Sequence, residues 1–441
     1  MSGDDDYIGR AVPSGRLSRA LRMGALAGGI GGRALASGVA RLAQGERPRA
    51  QDLLMTPANA MRLADQLSRM RGAAMKMGQL LSMDAGDFLP PELTQILSRL
   101  RADADPMPPR QLRVQLDRAW GESWLPRFQR FQTRPIASAS IGQVHRAQTK
   151  DGRDLAIKVQ YPGVRDSIDS DIDNLALLLR MPGLLPKGID LPPLLDEARI
   201  QLKAEADYEH EARQMLRYRE ALAGRPEFLL PAPDPEFTRS DVLAMDFIES
   251  RPIETLADED QPVRDRAAAA LARLVLEELF SFNLMQTDPN FANYRWQPDS
   301  RRVVLLDFGA TRSFSDHVGP QYRRLLRAAL QDDRKAIDEA AIAIGYFRED
   351  TEPAHKALLL DMMELAFGPL RRQGMFDLAG TDIPQRIAAM VMEITQRRDR
   401  AEMPPPEILF LHRKFGGLYL LLARLRARVD LGELVAPYRD Q

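Results

Sequence analysis

The chain has no cysteine among its 441 residues. That absence excludes disulfides, thiolate metal sites and thiol nucleophiles. Its five histidines, His145, His210, His317, His355 and His412, show no metal-ligand spacing, so each is read as a structural or surface residue rather than a ligand. No run of 18 or more apolar residues occurs, and no membrane-spanning helix is expected. The C-terminal region carries Arg424-Leu425-Arg426-Ala427-Arg428 and a polar tail instead, which predicts a soluble or peripheral protein. Neither charge is in excess: the net charge is −1, which points to neither nucleic acid nor an anionic surface. No internal repeat is visible. What is present is ordinary for a globular protein, 44% hydrophobic and 28% charged. The length allows one large or two to three small domains with ample core.

The informative stretch lies past the middle. Gln286-Thr287-Asp288-Pro289-Asn290-Phe291-Ala292-Asn293 is followed by Leu305-Leu306-Asp307-Phe308-Gly309. An acid, an Asn five residues later and an Asp-Phe-Gly nineteen residues after the first acid suit phosphoryl transfer from ATP. That chemistry needs a carboxylate near the acceptor oxygen, here Asp288, and an Asn and a second Asp to hold a metal, here Asn293 and Asp307. Each piece alone is weak; the ordered set is specific.

Upstream, Leu155-Ala156-Ile157-Lys158-Val159-Gln160 reads as an apolar strand that aims one Lys at nucleotide phosphates. Taken alone, Lys158 could equally protect a sheet edge. It needs an acidic partner, and Glu205-Ala206-Asp207-Tyr208-Glu209-His210-Glu211 offers several. On one continuous helix Asp207 and Glu211 share a face, while Glu205 points elsewhere. Before the strand, a glycine-rich phosphate loop is expected. Ile136-Ala137-Ser138-Ala139-Ser140-Ile141-Gly142 keeps a single glycine. Because Ala does not reach positive φ as freely as Gly, this loop is expected to be stiffer and differently shaped.

The rest organises around that kit. From Arg16 to Arg49 every cation is Arg, Glu46 is the only acid, and Gly and Ala crowd the middle. This arm can be read as a transit-like segment, a flexible and partly helical arm, or a close-packing helix. Residues 51–100 show helical periodicity. Lys76 and Gln79 are three apart there, on one face, so both can meet one partner. Asp105-Pro106-Met107-Pro108-Pro109 marks a boundary. Residues 166–222 read mainly as helices, broken near Pro182-Gly183 and Pro192-Pro193. Asp241 to Ile248 reads as a strand running into a hinge, whose Ala244, Met245, Asp246 and Phe247 would meet adenine. A long helix is expected from Arg264 to about Phe282, and mainly helices from 318 onward.

These residues together resemble the UbiB/ADCK family of atypical kinase-like proteins, from about residue 10 to near the end. Lys76-Met77-Gly78-Gln79 matches its KxGQ signature and Glu205-Ala206-Asp207 its ExD signature. Ala137-Ser138-Ala139-Ser140 matches its alanine-rich loop, with Ser138 where relatives often have Ala. Lys158, Asp288, Asn293 and Asp307 match its nucleotide, catalytic and metal positions. The resemblance implies an α+β, bilobal protein-kinase-like fold with a family-specific N-terminal helical extension. The expected parts are an arm over 1–50, the KxGQ extension over 51–110, an N-lobe over 111–248 and a helical C-lobe over 249–441. It implies that the KxGQ segment, with Lys76, Gly78 and Gln79, folds over the site as a regulatory lid and meets Glu205 and Asp207. Glu211 is then the leading partner for Lys158, with Glu205 as runner-up.

The resemblance also implies ATP, with Mg²⁺ or Mn²⁺, and an ATPase or small-molecule kinase supporting ubiquinone (coenzyme Q) biosynthesis. Expected partners are quinone-precursor lipids, ubiquinone-biosynthesis proteins and a peripheral membrane surface, with no nucleic acid; a homodimer is allowed. The expected location is the bacterial cytoplasm at the inner membrane or, alternatively, the matrix face of the mitochondrial inner membrane. Two departures disfavour a protein substrate. No Ala-Pro-Glu follows Asp307-Phe308-Gly309, and Gln286-Thr287 stands where a protein kinase has His-Arg. A true protein kinase and a non-catalytic scaffold binding nucleotide and lipid remain the competing readings.

Overall fold

In a computed structural model of the chain, residues 106–139, 141–180, 191–396 and 405–439 are described. The arm over 1–50, the KxGQ residues Lys76, Gly78 and Gln79, and Ser140 lie outside them. The chain divides into two compact units. Among the described residues, one comprises those up to Arg213 with Ala232–Phe247, the other Gln214–Pro231 with those from Ile248 onward.

The first unit is built on an antiparallel sheet. Its strands are β1 (Phe128–Phe131), β2 (Ala137–Ser138), β3 (Gly142–Thr149), β4 (Asp154–Gln160) and β6 (Val242–Asp246). They run in the order β1-β3-β4-β6, with β2 paired onto β3. Alternation decides which side chains go inside. Leu155, Ile157 and Val159 of β4 turn one face into a core shared with Trp124, Phe128 and Phe237. Full burial of such a side chain contributes about 1.5–3 kcal/mol. Helix α1 (Pro109–Trp120) adds Leu112 and Leu116 to that core. Pro109 sits where a missing N–H costs nothing. Helices α2 (Val164–Leu179) and α3 (Leu191–Glu205) pack on each other. Pro192 and Pro193 fall in the first turn of α3 and start it. Arg199 of α3 reaches Asp169 and Asp173 of α2 at 3.1 and 2.8 Å. These acids are exposed, so each bridge is worth less than about 1 kcal/mol.

The second unit is mainly helical. Its spine is α5 (Gln261–Phe280), which buries Leu271, Leu274, Val275 and Leu279 along one side. The helix starts before Arg264 because Pro262 is tolerated in a first turn. Beside it, β5 (Phe228–Leu229), β7 (Arg251–Pro252), β9 (Tyr294–Gln297) and β10 (Arg302–Leu305) form a sheet in the order β5-β10-β9-β7. Strand β8 (Leu284–Gln286) pairs with β11 (Thr311–Ser313) in antiparallel register. From residue 318 onward come α6 (Val318–Leu330), α7 (Arg334–Ile344), α8 (Pro353–Phe367), α9 (Ile383–Gln396), α10 (Pro406–Arg424) and α11 (Leu431–Val435). Their core includes Leu325, Ile337, Ala341, Leu360 and Leu411 packed with Val275 and Leu279. Gly345 closes α7 at φ +95°, a conformation that favours glycine. No helix among the described residues is long and apolar enough to cross a membrane.

Candidate active site

In the first unit, β4 carries Lys158 between the buried Ile157 and Val159. Its Nζ donates to both carboxylate oxygens of Glu211, at 3.0 and 2.9 Å. Glu211 is 1% exposed and the Lys158 side chain 11%. The pair is charge-assisted and forked, the stronger kind of hydrogen bond. Glu211 comes from the first turn of α4 (Tyr208–Ala221). Tyr208, at the start of that helix, holds its ring 5.0 Å from the Lys158 ammonium, a cation–π distance.

A single helix through the acid-rich stretch is not what forms. Helix α3 ends at Glu205 and α4 begins at Tyr208. Asp207 lies in the break, where its Oδ1 accepts the His210 N–H at 3.0 Å. Asp is a strong cap because its carboxylate satisfies an orphan helix amide, and here capping outcompetes helix continuation. The cap starts the helix that presents Glu211. Asp207 also lies 3.8 Å from Arg213. The expected partner of Glu205 and Asp207, Lys76, is outside the described residues.

The alanine-rich stretch is a tight hairpin. Ala137 and Ser138 pair with Val144 and Gln143, and the Ala139 N–H donates to the Gly142 carbonyl at 2.8 Å. Ala139 keeps φ out of the left-handed region. Gly142 is needed for space: an added Cβ would stand 2.4 Å from the Val159 carbonyl oxygen and 2.9 Å from the Tyr208 hydroxyl. Behind the hairpin, His145 is fully buried. Its Nε2 and the Gln143 amide nitrogen are 2.8 Å apart, and its Nδ1 is 2.8 Å from the Gln132 carbonyl. Gln143 accepts the Met107 N–H at 2.7 Å through its oxygen. This chain requires neutral His145 with the proton on Nδ1. Burial pushes its pKa down to about 4, against a smaller upward pull from the Gln132 carbonyl.

The hinge residues Ala244, Met245 and Asp246 lie on β6, with Phe247 just beyond. The Asp246 N–H donates to Ala232 O at 3.0 Å and the Phe247 N–H to Asp154 O at 2.9 Å. Those two amides are therefore committed within the chain and are not donors for a ligand. Phe247 also lies under the Arg146 guanidinium, 3.9 Å from its ring centre.

In the second unit the acid, the amide and the Asp-Phe-Gly are tied together. Asn293 donates through Nδ2 to the Asp288 carbonyl at 3.2 Å, and the Asn293 carbonyl accepts the Leu306 N–H at 3.0 Å. Thr287 donates its N–H (3.1 Å) and its hydroxyl (2.8 Å) to the Ala310 carbonyl. Asp288 Oδ1 accepts the Asn290 N–H at 3.3 Å, and Asp307 Oδ1 accepts the Gly309 N–H at 3.0 Å. The Asn293 Nδ2 is engaged by the Asp288 carbonyl, and the Asn293 side-chain oxygen and the Asp307 carboxylate are hard oxygens of the type Mg²⁺ takes.

Sequence reasoning missed a buried group behind this loop. Lys414 of α10 sits 3.2 Å from Glu278 of α5, with their side chains 2% and 1% exposed. Burial raises the Glu278 pKa, opposed by Lys414. Burial works against the Lys414 ammonium, but Glu278 and Tyr294 outweigh it and its pKa rises. A lysine next to Arg413 in α10 is unremarkable in sequence, so no signal marked Lys414. Tyr208 was equally silent, as one aromatic inside an acidic run.

A model of the ABC1 atypical kinase-like domain matches residues 99–341. The chain is 37% identical over 434 residues to the Saccharomyces cerevisiae protein named atypical kinase COQ8, mitochondrial, covering 98% of this chain and 86% of that one. It is 39% identical over 437 residues to the Caenorhabditis elegans protein named atypical kinase coq-8, mitochondrial, covering 96% of this chain and 57% of that one. Among solved structures, the Mycobacterium tuberculosis protein Rv3197, determined with erythromycin, shares the fold. It superposes with a TM-score of 0.62 at 24% identity, over 87% of this chain and 97% of that one. The chain belongs to the ABC1 atypical kinase-like family, the one its UbiB/ADCK resemblance indicated. Its fold is protein-kinase-like, and its class is atypical kinase/ATPase.

Proposed function

We propose that the chain binds ATP with Mg²⁺ or Mn²⁺ and transfers the terminal phosphoryl group to water or a small lipid-linked acceptor, in support of ubiquinone biosynthesis. The observation that carries this reading is the acid–amide tie of the second unit. Asn293 donates to the Asp288 carbonyl at 3.2 Å, and its own carbonyl receives Leu306, next to Asp307. Three groups of phosphoryl-transfer chemistry are thereby fixed relative to one another before any ligand arrives, which is where catalytic advantage comes from.

In this reading Lys158, held by Glu211, contacts phosphate oxygens. Asn293 and Asp307 hold the metal, which when bound offsets phosphate charge. Asp288 orients the acceptor and takes its proton. Ala137, Ser138, Ala139 and Ser140 border the phosphates, and the hinge meets adenine through groups other than the Asp246 and Phe247 amides. Lys76, Gly78 and Gln79, with Glu205 and Asp207, supply a lid that excludes peptides.

The relatives' names place them in mitochondria. In a mitochondrion or a bacterium, the proposed surface is the inner membrane, reached peripherally through the Arg- and Gly-rich arm. Quinone-precursor lipids, ubiquinone-biosynthesis proteins and a second copy of the chain are the proposed partners.

Radiolabelled ATP, with and without membranes and a quinone-precursor phenol, tests the reading. Label should pass to inorganic phosphate or the lipid fraction, and Asp307→Asn should cut turnover by about 100-fold or more. Stoichiometric label on protein would favour a protein kinase, and binding without turnover a scaffold. If deleting residues 10–49 leaves co-sedimentation with anionic liposomes unchanged, the arm is not the membrane contact.

A further inference from the structure

Helix α10 reaches the Asp288 loop from the far end of the chain. Lys414 Nζ donates to the Tyr294 hydroxyl at 3.0 Å and approaches the Gln286 side-chain oxygen at 3.5 Å. These two residues flank the loop: Gln286 stands two before Asp288, and Tyr294 one after Asn293. The third partner, Glu278, binds the same loop from behind, accepting the Gln286 N–H at 3.2 Å. Glu278 also accepts the Tyr218 hydroxyl at 2.6 Å. The Tyr218 ring packs 5.0 Å from that of Phe308, inside the Asp-Phe-Gly. One turn further along α10, Gly417 lies against the loop itself. A Cβ there would stand 2.2 Å from Pro289 Cβ.

Stability alone does not account for this arrangement. A buried ion pair often adds little net stability over apolar residues of similar size, because desolvation cancels the attraction. What an apolar substitute cannot supply is directional bonding to both flanks of one loop.

We propose that Lys414 is a positioning residue for the reaction, holding the Asp288–Asn293 loop in register from outside through Tyr294, Gln286 and Glu278. The proposal rests on the roles assigned above to Asp288 and Asn293. It makes α10, beyond the residues the family model matches, part of the active-site scaffold.

Lys414→Met alone strands a buried carboxylate, so the decisive variant is Lys414→Met with Glu278→Gln, which removes both charges. Three readouts are taken: steady-state ATP hydrolysis, melting temperature and amide exchange over residues 286–293. For the double variant we expect melting within about 5 °C of wild type. KM for ATP should stay within about threefold while kcat falls about tenfold or more. Exchange in the loop should rise about tenfold, with α6 and α7 unchanged. Gly417→Ala should show the same split between kcat and KM. A double variant with wild-type kcat and a protected loop overturns the proposal, because the network would then be structural only. Wild-type protein without ATP turnover would instead defeat the functional reading, and loop exchange alone would then decide whether Lys414 braces the loop.

Discussion

Each unit holds a buried lysine–glutamate pair, and the two pairs are built for different work. Lys158–Glu211 leaves the lysine side chain 11% exposed, with Tyr208 over the ammonium. Lys414–Glu278 is sealed at 2% and 1%, and the lysine finds Glu278, Tyr294 and Gln286 inside the protein. A pair that serves a ligand stays partly exposed. A pair that serves the scaffold needs its charges paired inside the protein, because a dry interior leaves no water to substitute. Burial depth therefore separates the two roles where residue identity does not.

The sharpest way to break this comparison is to remove each acid in turn. Glu278→Ala should cost about 3–5 kcal/mol, since it leaves a sealed ammonium unpaired. Glu211→Ala should cost no more than about 1–3 kcal/mol, because water can reach Lys158. It should nevertheless abolish stabilisation by Mg-ATP. Urea denaturation with and without nucleotide measures both, and equal costs would erase the distinction.

The next effect concerns the core behind the first pair. His145 titrates at about 4 when folded and near its ordinary 6.5 when unfolded. As pH falls below 6.5, the unfolded chain takes up a proton that the folded chain refuses. Stability should therefore decline by up to about 3 kcal/mol between pH 6.5 and 4 and level off below. The decline attributable to this residue should vanish in His145→Gln. An unchanged pH slope in that variant would place the titration elsewhere.

Smaller effects sharpen the role of the Lys158 surroundings. Gly142→Ala forces a methyl against the Val159 carbonyl and Tyr208, and should cost about 1–3 kcal/mol with weaker ATP affinity. Isothermal titration and thermal melts give both values; an unperturbed affinity would uncouple the hairpin from the lysine. Asp207→Ala removes the α4 cap and should cost about 1 kcal/mol. Asp207→Asn, which still caps, should recover most of it. A deficit shared equally by both variants would point to the charge of Asp207 rather than its capping bond.

The parts legible in sequence were those whose chemistry is local. Lys158 in an apolar strand and Asp288 five residues before Asn293 announce themselves through neighbours and spacing. The single remaining glycine of the hairpin was visible too, but its reason was not. Gly142 matters through its approach to Val159 and Tyr208, on other segments. The acid run was misread as one helix because apolar and acidic periodicity continues through it. The hydrogen bonds from the His210 N–H to Asp207 and from the Tyr208 N–H to the Ser240 carbonyl mark the break.

By itself the sequence determined the family and the α+β kinase-like class, and it singled out the residues proposed for the reaction, because each depends on residue types at short, fixed separations. Tertiary structure alone decided which acid holds Lys158, which hinge amides are committed, and that Lys414 meets residues 120 and 128 positions away. Those contacts arise when packing brings distant segments within about 3 Å, a distance at which desolvation makes every polar pairing consequential. No local pattern encodes such a meeting.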